Sequence, residues 1–450
     1  MHNDDSKNTP APTMAVPSGR GSRLVRLGWM ATGIAGGMLA EGARQIAKGN
    51  RPKVSDLLLT PANARRVADQ LVKLRGAAMK VGQLVSMESG DLLPPALADI
   101  LARLRSDARA MPKSQVVGML EANWGKGWEK QFKHFTFTPL AAASIGQVHR
   151  AQTLDGRDLA IKIQYPGVRE SINSDVDNVA GLLRMSALLP KEMDIKPLLR
   201  DAKRQLHEEA DYVREGNYLH RYGELLADSP QYLLPRMHAD LTTDSVLAMD
   251  YVGGVPIEAL VTSPQIERDR VMALLFSLLM REVFEFRLVQ TDPNFANYQY
   301  DIESKRLILL DFGATRPYKA TMARDYRRLI KGAMAGDRIL MGEACLAIGY
   351  FDATTQEKHK NAVLDIGEQA LEPFCAKDGY DFGASDLPER IRATGIALGL
   401  DKEFWQLPPS DAMLLHRKFG GLYLLAIRLK ARVNLYALTT AALTPSKRRP

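Results

Sequence analysis

The segment Leu309-Leu310-Asp311-Phe312-Gly313 constrains the chain more than any other. An apolar strand that runs into an acid puts a carboxylate at a strand terminus, and the glycine that follows permits an unusual turn. A carboxylate so placed can hold a metal ion that bridges nucleotide phosphates. The tripeptide alone is a weak signal. Asp381-Phe382-Gly383 repeats it after Lys377-Asp378-Gly379-Tyr380, with no apolar strand before it, and reads as a surface turn.

The neighbours of the first copy give it weight. Nineteen residues upstream, Asp292 is followed at the fifth position by Asn297 in Gln290-Thr291-Asp292-Pro293-Asn294-Phe295-Ala296-Asn297. This is the Asp-x-x-x-x-Asn spacing of a kinase catalytic loop. There the acid positions or deprotonates a hydroxyl or water, and the amide oxygen completes a metal site with Asp311. Farther upstream, Leu159-Ala160-Ile161-Lys162 has the form of a strand whose lysine reaches the α- and β-phosphates. Fourteen residues before Lys162, Ala141-Ala142-Ala143-Ser144-Ile145-Gly146-Gln147-Val148 matches Gly-x-Gly-x-x-Gly-x-Val, with alanine at the first two glycines. A β-carbon at Ala141 and Ala143 limits φ and the approach of backbone to phosphate, so nucleotide is held differently from an ordinary kinase. A carboxylate to orient Lys162 is expected in Glu208–Glu215. Ala141, Ala142, Ala143, Ser144, Ile145, Gly146 and Val148 of the loop, Lys162, and Met249 and Tyr251 of the strand-like Ser245–Tyr251 segment form the expected nucleotide set. ATP or ADP with Mg²⁺ is the expected cofactor.

Composition bounds the rest. The chain has 450 residues, 46% hydrophobic and 25% charged, which is globular and long enough for two or three domains. Its two cysteines, Cys345 and Cys375, exclude a disulfide scaffold and have no metal-ligand spacing. The net charge of +8 is carried by the ends. Residues 1–50 hold six Lys/Arg against three Asp/Glu, residues 401–450 nine against three, and the middle 45 against 46. This argues against a body that grips nucleic acid and for basic termini that touch something anionic. No run reaches the ~20 apolar residues that span a bilayer. The nearest, Leu27–Ala40, contains four glycines. Asp4 and Asp5 argue against a signal peptide or presequence.

Residues 61–105 are helical in pattern, as are 114–133, 170–226, 264–289 and most of the chain after Ala320. Phe135–Pro139, Gln147–Gln152 and Asp158–Gln164 read as short strands, with Asp155-Gly156 as a hairpin turn. Asn297–Tyr300 and Arg306–Leu310 read as a second hairpin. Met413–Leu435 reads as one amphipathic helix carrying Arg417, Lys418, Arg428, Lys430 and Arg432, suited either to packing or to an anionic lipid surface. The expected division is a tail over 1–22, a helical extension over 23–134, an N-lobe over 135–254 and a helical C-lobe over 255–450.

With these residues in view, the chain resembles the UbiB family of atypical kinase-like proteins (aarF-domain-containing kinases), and within it the coenzyme Q branch. The motifs that carry the resemblance are Lys80-Val81-Gly82-Gln83, the alanine-rich loop, Lys162–Val168, Glu209-Ala210-Asp211, Gln290–Asn297 and Leu310–Arg316. The resemblance implies a two-lobed, α+β, protein-kinase-like fold with an N-terminal helical extension that carries Lys-x-Gly-Gln. It implies that Lys80, Gly82 and Gln83 fold over the active site, with Lys80 paired to Glu209 and Asp211. It makes Glu215 the partner of Lys162, Asp292 the catalytic-loop acid, and Asn297 and Asp311 the metal ligands. Gln290-Thr291 stands where an ordinary kinase has His-Arg. It further implies an ATPase or unorthodox kinase supporting ubiquinone synthesis at a membrane surface. The alternatives are a phosphotransferase for a small or lipid-like hydroxyl compound, and a nucleotide-sensing scaffold without turnover. Expected partners are anionic lipids, ubiquinone-pathway enzymes or lipid intermediates, and a second copy of the chain. The expected location is cytoplasmic, peripheral to an inner membrane.

Overall fold

The computed structural model describes residues 110–143, 145–185, 196–399 and 408–443. Lys80, Gly82, Gln83 and Ser144, most of the expected helical extension, the basic N-terminal end, and Lys402, Lys447, Arg448 and Arg449 of the C-terminal end lie outside them. The described chain divides into two units. One holds residues 110–216 and Arg236–Tyr251, the other Asn217–Pro235 and the residues from Val252 onward.

The first unit opens with helix α1 (Lys113–Trp124). The helical pattern to residue 133 is cut short because Gly125 and Gly127 take φ of 83° and 84°, which end a helix at little steric cost. A 3₁₀ turn over Trp128–Gln131 follows. Then come β1 (Phe132–Phe135), β2 (Ala141–Ala142), β3 (Gly146–Thr153) and β4 (Asp158–Gln164). Helices α2 (Val168–Met185), α3 (Lys196–Glu209) and α4 (Tyr212–Leu225, of which residues from Asn217 belong to the second unit) follow, then β5 (Tyr232–Leu233) of the second unit and β6 (Val246–Asp250) of the first. The sheet runs β1-β3-β4-β6, with β2 added to β3, and every pairing is antiparallel. Alternation along β4 decides its chemistry. Leu159, Ile161 and Ile163 are fully buried in one cluster with Val116, Leu120, Trp128 and Phe132. Each such side chain contributes about 1.5–3 kcal/mol. Ala160, Lys162 and Gln164 therefore take the other face.

In the second unit β5 pairs in parallel with β10 (Arg306–Leu309), which pairs antiparallel with β9 (Tyr298–Asp301). β9 in turn pairs with β7 (Val255–Pro256). Helix α5 (Gln265–Arg281) buries Val271, Met272, Leu275, Phe276, Leu278, Leu279 and Met280. The apolar pattern continues to residue 289, but the helix does not. A π turn over Glu282–Phe286 and a left-handed Arg287 (φ 52°) turn the chain into β8 (Leu288–Gln290), paired with β11 (Thr315–Pro317). The rest is α6 (Ala320–Ala335), α7 (Arg338–Ile348), α8 (Glu357–Cys375), β12 (Tyr380–Asp381), α9 (Leu387–Gly399), α10 (Ser410–Arg428), β13 (Arg432–Val433) and α11 (Leu435–Leu443).

The single helix expected over Met413–Leu435 ends at Arg428, where Lys430 takes φ of 49° and β13 pairs with β12. Arg417 and Lys418 are buried within the unit. Arg428 and Arg432 stay at the surface, paired with Glu258 at 3.1 Å and Asp381 at 3.0 Å. Among the described residues no helix is long and apolar enough to cross a membrane.

Candidate functional site

Strand register assembles the first set of residues. Lys162 lies opposite Val148 on β3 and Leu247 on β6, and Ala160 lies opposite Met249. Directly opposed residues share a face. Val148, Ala160, Leu247 and Met249 thus form an apolar surface around the Lys162 ammonium; Ala160 belongs to the Leu159–Lys162 motif, whereas no motif marks Leu247. Lys162 Nζ donates to both oxygens of Glu215, at 2.8 and 2.9 Å, with side chains 9% and 2% exposed. The ammonium also lies 5.1 Å from the Tyr212 ring centroid, a further cation-stabilising contact.

A helix start positions Glu215. Asp211 Oδ1 accepts the Arg214 N–H at 2.9 Å as the N-cap of α4, and the Glu215 N–H donates to the Asp211 carbonyl at 3.0 Å. Glu215 falls one turn into the helix. Gln164, two residues beyond Lys162, donates Nε2 to the Ala210 and Asp244 carbonyls at 2.8 and 3.1 Å. It ties the buried Glu209-Ala210 segment to β4.

The alanine-rich loop is a β-hairpin. Ala141 and Ala142 pair with Val148 and Gln147, and the Ala143 N–H donates to the Gly146 carbonyl at 2.9 Å. Ladder positions accept a β-carbon freely, which is why alanine serves there. Ile145 is 1% exposed and its carbonyl accepts the Tyr165 N–H at 2.9 Å, so it packs inward beneath the hairpin. Gly146 is required by close approach: a Cβ there would lie 2.3 Å from the Ile163 carbonyl oxygen. Beyond it, Gln147 Oε1 accepts the Met111 N–H at 2.8 Å, and His149 lies 2.8 Å from both Gln147 Nε2 and the Thr136 carbonyl. A carbonyl only accepts, so Nδ1 of His149 carries its proton. Burial pushes the His149 pKa down. Tyr251 donates its N–H to Asp158, and its ring lies 4.0 Å below the Arg150 guanidinium.

The second set is built by the β9–β10 hairpin. Tyr298 pairs with Leu309, and the Leu310 N–H donates to the Asn297 carbonyl at 3.1 Å. Asn297 is thereby brought level with the residue before Asp311. Asp311 Oδ1 accepts the Gly313 N–H at 3.0 Å, and Phe312, 2% exposed, packs 4.7 Å from the Tyr222 ring. Thr291 donates both N–H and hydroxyl to the Ala314 carbonyl, at 3.2 and 2.8 Å, locking Asp292 to the segment that follows Asp311. Asn297 Nδ2 points at the Asp292 carbonyl and Oδ2 at 3.4 and 3.5 Å, which leaves Oδ1 to face a cation. One carboxylate and one amide oxygen fit Mg²⁺, which binds through few protein ligands and completes its shell with water and phosphate oxygens. Among the described residues no group of three or more His, Cys, Asp or Glu forms a closed metal cage.

Behind this loop lies a buried polar cluster that motif reading missed. Tyr222 Oη is 2.8 Å from Glu282 Oε1. Lys418 Nζ donates to Gln290 Oε1 at 3.0 Å and to Tyr298 Oη at 2.6 Å, with Glu282 Oε2 at 3.8 Å. Burial opposes the Lys418 charge, but Glu282 and Tyr298 outweigh it and hold the ammonium pKa above its usual value. Burial raises the Glu282 pKa, with Lys418 opposing. The one sequence sign of this cluster is two adjacent cations in an apolar helical stretch.

Comparison with known proteins follows from this geometry. A family model described as the ABC1 atypical kinase-like domain matches residues 103–345. Atypical kinase COQ8B, mitochondrial, of Rattus norvegicus is 38% identical over 93% of this chain and 79% of its own length. Atypical kinase COQ8, mitochondrial, of Saccharomyces cerevisiae is 35% identical over 96% and 86%. Among solved structures, the Rv3197–erythromycin complex from Mycobacterium tuberculosis superposes with a TM-score of 0.59 at 24% identity, covering 86% of this chain and 97% of that one. It shares the kinase-like α+β fold.

Proposed function

The chain belongs to the UbiB, or ABC1 atypical kinase-like, family, and from that premise we propose that it binds Mg-ATP or ADP and turns ATP over as an unorthodox kinase or ATPase. The observation that carries this reading is the Asp292–Asn297–Asp311 set within one unit, matched by the buried Lys162–Glu215 pair in the other. Lys162, oriented by Glu215, meets the α- and β-phosphates. Asn297 and Asp311 would hold the metal, which would supply positive charge against the charge that develops on the transferred phosphoryl group. Asp292 orients the attacking hydroxyl or water. Val148, Ala160 and Met249 offer the apolar face for a base.

The coenzyme Q branch of the family gives the biological setting: support of ubiquinone biosynthesis at a membrane surface, by extracting, presenting or assembling lipid intermediates and their enzymes. ATPase rates of wild type and Asp311→Asn, measured with anionic vesicles present, test the enzymatic reading. Equal rates would sink it. Vesicle sedimentation that responds to neither salt nor anionic lipid would remove the membrane from the proposal. The pairing of Ala141 and Ala142 into a ladder favours a stiff phosphate loop, and with it a second reading, a nucleotide-sensing scaffold. Under that reading Lys162→Ala abolishes nucleotide binding, while Asp292→Asn leaves growth on a respiratory substrate intact.

A further inference from the structure

Helix α10 lies outside the matched family segment, which ends at residue 345, yet it packs directly on the catalytic loop. Three observations on one helical face establish this. Arg417 Nη2 lies 3.9 Å from Asp292 Oδ1. Lys418 Nζ donates to Gln290 Oε1 at 3.0 Å. A Cβ added at Gly421 would lie 2.2 Å from Cβ of Pro293, so the helix backbone itself rests on the residue after Asp292. Gly421 is three residues from Lys418 and four from Arg417, the spacing of neighbours on a helix. The two cations are only 6% and 2% exposed. Placing two long, charged side chains in an interior is costly unless their partners are fixed. Here the partners are Asp292, Gln290, Glu282 and Tyr298, all on or behind the loop.

We propose that α10 is a brace for the catalytic loop, in which Arg417 orients the Asp292 carboxylate and Lys418 orients Gln290, both as positioning residues. The loop has Gln290-Thr291 before its acid. A guanidinium and an ammonium that reach it from 125 and 128 residues away supply its cationic support. The brace acts on the acid rather than on the nucleotide, so it governs turnover and leaves affinity largely alone. This inference rests on the reading of Asp292 and Asp311 as a phosphoryl-transfer site.

The test uses the full chain, with ATPase rates and Mg-ADP binding measured side by side. Arg417→Gln is expected to lower kcat about 100-fold, the scale of an ångström-size misplacement, with the Mg-ADP Kd unchanged. Arg417→Lys recovers part of the loss. Lys418→Met alone leaves Glu282 uncompensated, so the double variant Glu282→Gln/Lys418→Met is compared with it. Recovered thermal stability with turnover still low in the double variant supports positioning. Arg428→Gln, at the exposed end of the helix, leaves both quantities unchanged. If Arg417→Gln and the double variant turn ATP over at the wild-type rate while Asp311→Asn does not, the brace is refuted and the site reading stands. If Asp311→Asn itself matches wild type, the site reading has failed and the brace with it. Losses of rate and affinity that track the melting temperature in every variant reduce α10 to packing and overturn the proposal.

Discussion

Removing Glu215 tests whether the Lys162 ammonium is held for chemistry at a cost in stability. Lys162 Nζ lies 2.8 and 2.9 Å from the two Glu215 oxygens, with side chains 9% and 2% exposed. At an effective dielectric of about 20, unit charges that close attract by roughly 5–6 kcal/mol. Desolvation of the two ions costs several kcal/mol each, so the intact pair is close to neutral for stability. Glu215→Ala leaves the ammonium buried without its counter-charge, and the expected loss is about 3–5 kcal/mol. The double variant Lys162→Met/Glu215→Leu removes both ions and is expected to regain most of that loss, while Mg-ADP binding stays abolished. Hydrogen exchange of the β4 amides in the full chain is the assay. These amides sit in the middle of the sheet, between β3 and β6, and report opening of that unit alone. A cost below about 1 kcal/mol for Glu215→Ala would refute the reasoning, because such a value belongs to a solvated surface pair. So would a double variant that binds nucleotide as well as wild type.

Gly146→Ala forces a β-carbon to 2.3 Å from the Ile163 carbonyl. Isothermal titration should show lost Mg-ADP affinity, and urea unfolding a destabilisation of about 1–3 kcal/mol, the usual cost of overpacking. Asp381→Asn should leave the ATPase rate at the wild-type value, since its carboxylate pairs at the surface with Arg432 at 3.0 Å, whereas Asp311→Asn should abolish it. His149 has its pKa lowered by burial. Above about pH 6.5 both folded and unfolded states hold it neutral. Below that the unfolded chain takes a proton that the folded chain refuses, so its contribution is lost as pH falls from about 6.5 toward the folded value. Denaturation of wild type and His149→Gln between pH 8 and 5 should show the larger acid loss in wild type.

What could be read from the sequence is what is encoded by short-range order. The β4 pattern Leu159-Ala160-Ile161-Lys162-Ile163-Gln164 announces two faces, and the strand and both faces are found. The hairpin that brings Asn297 beside Asp311 spans few residues and was legible for the same reason. Besides the helix expected to Leu435, which ends at Arg428, two elements were overextended. The helix to residue 133 stops at Gly125, and the one to 289 yields at Glu282 to a π turn and then to β8. In both, hydrophobic periodicity persists while backbone geometry changes, and periodicity alone is blind to that. Lys418 was illegible as a site residue. Its partners Gln290 and Glu282 lie 128 and 136 residues away in the chain, and a cation on a helix reads as solvated until packing shows it buried.

The two Asp-Phe-Gly copies separate local conformation from chemistry. In each, the aspartate Oδ1 accepts the glycine N–H, at 3.0 Å for Asp311 and 2.9 Å for Asp381. In each the phenylalanine is buried, Phe312 at 2% and Phe382 fully. The second copy is thus more than a surface turn: its acid is exposed, but its ring stacks on Phe276 at 5.6 Å. The tripeptide therefore encodes an Asx turn with an aromatic anchor, and nothing more. What sets Asp311 apart is the strand before it. β10 is in register with β9, and that register delivers Asn297 and, through the loop ahead of it, Asp292. Asp381 ends the two-residue strand β12, whose pairing with β13 sets Arg432 opposite it, and the Arg432 guanidinium already occupies the place a cation would take. An acid set beside an asparagine here is the product of a turn that recurs and a pairing with β9 that does not. The weight given to the apolar Leu309-Leu310 run ahead of Asp311 follows from the same physics, because those residues build the strand that sets the register.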